Sequence, residues 1–95
     1  MYESADPAQV EVRPYLPDIP EMRQDVAEFY GAVEFVDHHV GNMLQALHEA
    51  GLTENTLVLF VTDHGASFPH SKGTLYDSGT KVACMARWPG HLPAG

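Results

Sequence analysis

The feature that most constrains this chain is Thr56-Leu-Val-Leu-Phe-Val-Thr-Asp-His-Gly65, an apolar run that ends in a carboxylate, an imidazole and a glycine. The five consecutive large apolar residues Leu57 to Val61 leave no alternation between an inner and an outer face. Such a run predicts a strand over 56–62 buried on both faces, the habit of parallel sheets in α/β proteins. Ligands of open α/β sheets sit outside the carboxyl ends of the strands. Asp63 and His64 stand at that end and offer one oxygen and one nitrogen donor to a divalent cation, while Gly65 lets the backbone turn without a side-chain clash. On these three residues alone a plain turn is an equally open reading, with Asp63 bonded to nearby backbone and His64 in solvent.

Upstream, Pro7, Pro14, Pro17 and Pro20 keep both helix and central strand out of residues 1–20, which are expected to form an extended surface segment. A helix is predicted to start where Asp18 and Glu21 stand three apart in a capping-box-like arrangement, with Pro20 tolerated in the first turn. Val26, Phe29, Tyr30, Val33, Val36, Val40, Met43, Leu44 and Leu47 recur at steps of three and four, one continuous stripe expected to lie against a sheet. Gly51 follows as a left-handed cap, and Leu52 is placed to fold back on Leu47. Thr53-Glu-Asn is a connection of ordinary length into the apolar strand. Residues 66–81 read as a loop with a helical turn near Leu75-Tyr76, and Val82 to Trp88 as a second strand ended by Pro89-Gly90. The expected fold class is α/β: one long helix and two parallel strands, a partial slice of a mainly parallel sheet sandwiched by helices.

A chain of 95 residues allows at most one domain, and a formal charge of −8 argues against a nucleic-acid partner, which would require a basic face. An anionic substrate would need local positive charge, from a metal, from Lys72 or from outside the chain, because the global field repels it. The single cysteine excludes an internal disulfide. No stretch has the apolar length of a transmembrane segment, and Met1-Tyr-Glu-Ser-Ala-Asp lacks the charged start and apolar core of a signal peptide. Any targeting signal is expected upstream, so the compartment stays open.

Seven residues after Gly65 comes Lys72-Gly-Thr-Leu-Tyr-Asp-Ser-Gly79, followed by Thr80-Lys-Val-Ala-Cys-Met-Ala-Arg-Trp-Pro-Gly90. With these segments the chain resembles the sulfatase family of the alkaline-phosphatase-like superfamily. In that family a buried strand ends in Asp-Asn-Gly or Asp-His-Gly, a loop delivers Lys-Gly-Thr-x-Tyr-(Asp/Glu)-x-Gly, and a strand closes in Arg-Trp-Pro-Gly or a near variant. The resemblance covers about residues 21–95, and the combination is far more specific than any part. It implies the C-terminal part of a sulfatase catalytic domain, with 21–95 forming a helix-strand-loop-strand unit.

The same resemblance implies roles for single residues. Asp63 and His64 match the pair that helps hold the active-site cation, and Lys72 matches the lysine that contacts a sulfate oxygen and the catalytic residue. Calcium is the cation the family favours, although a nitrogen donor suits Mn²⁺ or Zn²⁺ better on softness. The implied nucleophile is a formylglycine made within Cys/Ser-x-(Pro/Ala)-x-Arg, which this chain does not contain, so the implied partners are a sulfate ester and the remainder of the catalytic domain. Lys81 stands where the family more often has arginine, and Ala83 where proline is usual. A phosphodiesterase or phosphonate hydrolase of the same superfamily shares Asp-His-Gly, and a non-catalytic remnant or interaction module is the alternative outside enzymes.

Of the other chemistry-bearing residues, His70 lies two before Lys72 and is a further candidate for substrate contact. His38 and His39 are about 100° apart around a helix and cannot chelate one ion from a common face, so they read as a polar face. His48 near the helix C-terminus complements the dipole. Cys84-Met-Ala-Arg87 carries its arginine one residue too early for the nucleophile motif, and Cys84 is expected as a small buried hydrophobe.

Overall fold

Thirty residues without an internal proline, opened by Pro20 and an acidic first turn and rich in helix formers, make the long helix α1, Pro20–Glu49, the dominant element. The computed structural model describes residues 3–94, so Met1, Tyr2 and Gly95, the outermost residues of the expected 1–20 and 21–95 segments, lie outside it. The chain divides into two compact units, Met1–Ala46 and Leu47–Gly95. Neither among these described residues is any helix long and apolar enough to cross a membrane.

In the first unit the helix start is clamped differently from the capping box expected. The Asp18 carboxylate accepts from Arg23 Nε at 2.6 Å and Nη2 at 2.8 Å, and the Ile19 carbonyl takes the Arg23 N–H. That two-pronged hydrogen bond, and then the attraction of the charge, raise the Arg23 guanidinium above its already high pKa. Arg23 Nη1 also reaches the Pro7 and Val10 carbonyls, tying the preceding segment to the helix. That segment is not simply extended. It turns at residues 7–9 and 14–16 and buries Val10 and Leu16 together with Val26 and Ala27 of α1. Gly31 is needed here, because a side chain on it would overlap the Glu3 carbonyl.

The apolar stripe is therefore fully buried only near its start: Phe29, Tyr30, Val33, Val36 and Met43 are exposed, and Val40, Leu44 and Leu47 are half-buried. The expectation that the stripe lies against a sheet is not met within this unit, whose described residues hold no strand. The physical reason is supply: the short proline-rich segment covers about the first three turns and nothing more.

The second unit opens with the end of α1, and here the expected cap is present. Gly51 is left-handed at φ 69°, its N–H donates to His48 O, and Leu52 N–H donates to Leu47 O at 3.1 Å, the paired bonds of a Schellman motif. A 3-10 turn at Thr53–Asn55 leads to β1, Val58–Val61, then the short helix α2, Asp77–Thr80, and β2, Cys84–Arg87. The helical turn thus lies just past the Leu75-Tyr76 position expected for it.

The strands pair antiparallel, Val58 opposite Arg87 and Val61 opposite Cys84, which corrects the parallel pair expected from the apolar run. A parallel neighbour needs a crossover that carries the chain back to the starting end. Residues 62–83 make no such crossover. They coil at the carboxyl end of β1, where Thr62 N–H donates to Ala83 O and Ala83 N–H to Thr62 Oγ1, so the chain re-enters beside the point where it left.

Burial of β1 alternates: Val58 and Phe60 are half-buried, Leu59 and Val61 exposed. Burial on both faces is not reached in this chain. Cys84 is likewise exposed rather than buried, since all of β2 is open to solvent. Beyond β2, Trp88 donates its indole N–H to Glu54 O at 3.2 Å and stacks on His91 at 4.0 Å, which anchors the Arg-Trp-Pro-Gly end to the 3-10 turn.

Candidate functional site

Asp63 and His64 follow β1 directly, at the end of the strand where the apolar pattern placed them. The Asp63 side chain is 86 % exposed and that of His64 40 %, with His64 Nε2 3.4 Å from Asp63 Oδ2. His64 Nδ1 lies 2.7 Å from the Gly65 carbonyl. A carbonyl can only accept, so Nδ1 carries the proton and Nε2 faces the carboxylate. Nε2 then either bears a second proton and pairs with Asp63, or turns its lone pair to the space the carboxylate lone pairs also face. The second arrangement suits a cation, and a ring fixed through its other nitrogen to a carbonyl is the usual setting of a ligating histidine. No group of three or more His, Cys, Asp or Glu gathers around an ion position among the described residues. The pair therefore fits a divalent cation as part of a ligand set and not as a whole one.

Gly65 does more than turn the chain. A Cβ there would overlap the Ser78 carbonyl and approach Ser71 Oγ to 2.6 Å, and the Gly65 N–H donates to Gly79 O at 3.2 Å. Gly79 is equally confined, since a side chain on it would overlap the Ser71 carbonyl and reach Thr74 O at 2.6 Å. Two glycines thus let the turn after His64, the Ser71–Thr74 loop and α2 pack backbone against backbone.

At the centre lies Ser71, 2 % exposed, whose hydroxyl donates to Ser78 O at 2.6 Å. Lys72 follows at once. Its N–H donates to Ala66 O at 3.0 Å, while its side chain is exposed and makes no hydrogen bond or ion pair among the described residues. An ammonium held only by its backbone is available to an anion. His70 adopts φ 58°, unusual for a residue other than glycine, and sets its ring edge-on to Tyr76 with centroids 5.3 Å apart. Leu75 and Tyr76 beside it are exposed.

The structure brings Asp63 and His64 into contact and links them through Gly65 and Ser71 to the loop that carries Lys72 and His70. Sequence reasoning passed over Ser71, Ser78 and Gly79. Their signal was present in the density of Ser, Thr and Gly over 71–80, but hydroxyl-to-carbonyl bonding across a loop has no period to detect. The remaining histidines stand apart. His38 and His39 are exposed with rings 5.7 Å apart, His39 packs edge-on to Phe35, and His48 sits exposed in the last turn of α1.

An apolar strand thus ends in an oxygen and nitrogen donor pair, and the glycine-packed loop that follows presents an exposed lysine. Comparison with known proteins gives the class to which this arrangement belongs. Residues 1–94 match the family model described as Sulfatase, and the chain belongs to the sulfatase family. It is 37 % identical to an ulvan-active sulfatase of Formosa agariphila over 83 residues, covering 87 % of this chain and 14 % of that protein. It is 37 % identical to human N-sulphoglucosamine sulphohydrolase over 89 residues, covering 94 % of this chain and 18 % of that one. An arylsulfatase of Clostridium perfringens is 36 % identical over 78 residues, 78 % of this chain and 16 % of its own length. The chain thus spans less than a fifth of the length of these relatives. These matches establish the family and do not carry the expectation that the segment is the C-terminal part of its domain.

Proposed function

We propose that this chain is a working segment of a sulfuric ester hydrolase, contributing Asp63 and His64 as metal ligands and Lys72 as a contact to the sulfate group. The observation that carries the reading is the donor pair: a carboxylate oxygen and an imidazole nitrogen 3.4 Å apart, with the ring's other nitrogen fixed to the Gly65 carbonyl. Bound there, a divalent cation, Ca²⁺ by family resemblance and Mn²⁺ or Zn²⁺ on donor softness, would act as a Lewis acid toward sulfate oxygens. Asp63 offsets the cation's charge, and His64 holds its donor in place through the Nδ1 proton. Lys72 adds a mobile positive charge that offsets negative charge building on the ester oxygens as the S–O bond breaks.

The further ligands and the attacking formylglycine are supplied from outside these residues, by the remainder of the catalytic domain. In that setting the antiparallel pair β1–β2 would form part of a larger, otherwise mainly parallel sheet sandwiched by helices. The bare face of β1 and the uncovered stripe of α1, each in its own unit, support this, because both are apolar surfaces of a kind that a domain buries.

The test uses the complete enzyme, with Asp63→Ala compared with wild type for metal content by elemental analysis and for turnover of an aryl sulfate and the matching aryl phosphate. Metal and sulfate turnover should fall together. Equal metal content in the two proteins removes the ligand assignment, and preference for the phosphate ester would replace a sulfatase by a phosphodiesterase or phosphonate hydrolase of the same superfamily. No turnover of either ester by a metal-loaded wild type would favour a non-catalytic interaction module.

A further inference from the structure

Lys72 has a four-carbon stem with many rotamers, so the direction in which its ammonium can act is set first by the backbone from which it leaves. That backbone is unusual on both sides. His70 at φ 58° and Gly73 at φ 77° are both left-handed, and for His70 this is a conformation a free loop would avoid. Three hydroxyls, two in the loop and one on α2, hold it there. Ser71 Oγ donates to Ser78 O at 2.6 Å, Ser78 Oγ to His70 O at 2.5 Å, and Thr74 Oγ1 to Ser71 O at 2.7 Å. Each bond joins the segment 70–74 to α2 or closes it on itself. Ser71, nearly fully buried, also packs where a side chain at Gly65 would stand, so the lysine loop is registered against the turn that follows Asp63 and His64.

We propose that the hydroxyls of Ser71, Ser78 and Thr74 are positioning residues for Lys72, an inference that rests on the reading of Lys72 given above. Each hydroxyl proton is committed to a backbone carbonyl, so the three act through the lysine and not on substrate. Losing one leaves a carbonyl without its donor and lets the loop relax toward ordinary dihedral angles. A displacement of the ammonium by about 1 Å is enough to cost on the order of 10- to 100-fold in rate.

A double-mutant cycle in the complete enzyme tests this, with p-nitrophenyl sulfate as the probe. Ser71→Ala should lower kcat about tenfold with KM within about twofold and metal content unchanged, and Ser78→Ala should behave alike. Ser71→Ala added to Lys72→Ala should cause no further loss, because the residue it positions is already gone. Thr74→Ser, which keeps a hydroxyl, should restore what Thr74→Ala loses, and this pair serves if Ser71→Ala fails to fold. Unchanged kcat in Ser71→Ala beside an impaired Lys72→Ala would overturn the positioning role, as would additive losses in the double variant. Unchanged kcat in Lys72→Ala itself would overturn the reading of the lysine, and that single variant tells the two failures apart.

Discussion

Leu59 and Val61 on one face of β1, and Leu57 just before the strand, remain 61 %, 63 % and 47 % exposed. Fully burying a side chain of this kind stabilises by about 1.5–3 kcal/mol, so roughly 3–5 kcal/mol of apolar burial is left unrealised on this face in one chain. That is close to the lower end of the net stability of a whole domain, about 5–15 kcal/mol. The two-stranded sheet also has both edges open to pairing. The 95-residue chain by itself is therefore expected to associate. Sedimentation velocity from about 1 to 500 μM should give a weight-average mass that climbs with concentration, and the thermal transition should be broad and shift with it. Leu59→Lys with Val61→Lys should keep the chain monomeric, since two charges on the bare face oppose burial while disturbing little internal packing. A wild-type monomer at every concentration with a sharp, concentration-independent transition would refute the reasoning, as would a double variant that associates as strongly as the parent.

The same isolated chain should show no turnover of sulfate esters, because its sequence lacks the nucleophile motif; metal-dependent turnover above background would overturn this. In the complete enzyme Lys72→Ala should reduce turnover about 10²-fold with the melting temperature nearly unchanged, whereas a large loss of stability with little loss of turnover would make the lysine structural. Gly65→Ala forces a methyl group into the Ser78 carbonyl and should destabilise by about 1–3 kcal/mol, read as a lowered melting temperature; an unchanged one would mean that the packing of the turn on α2 is looser than described. Gly51→Ala places a side chain at φ 69° and should cost about 1 kcal/mol, seen as faster amide exchange at Leu52, whose N–H closes the helix end. Unchanged exchange there would place the stop signal elsewhere.

Features written into neighbouring residues were legible in the chain alone. The helix of α1 follows from steps of three and four, its end from Gly51, and the position of Asp63 and His64 from the abrupt close of an apolar run, since each depends on a few consecutive residues. The family was legible too, because its motifs combine local spacing with fixed residue types. What required the tertiary structure was everything that depends on where the chain returns. An apolar strand looks the same whether its neighbour is parallel or antiparallel, and the antiparallel pair was decided by residues 62–83 closing on themselves at Thr62 and Ala83. Asp18 looked like a cap until Arg23, five residues on, came within 2.6 Å of it. Ser71 carried no periodic signal, yet it is the buried residue where the lysine loop, the Asp-His-Gly turn and α2 meet, because hydroxyl-to-carbonyl bonds are chosen by proximity in space and not by spacing along the chain.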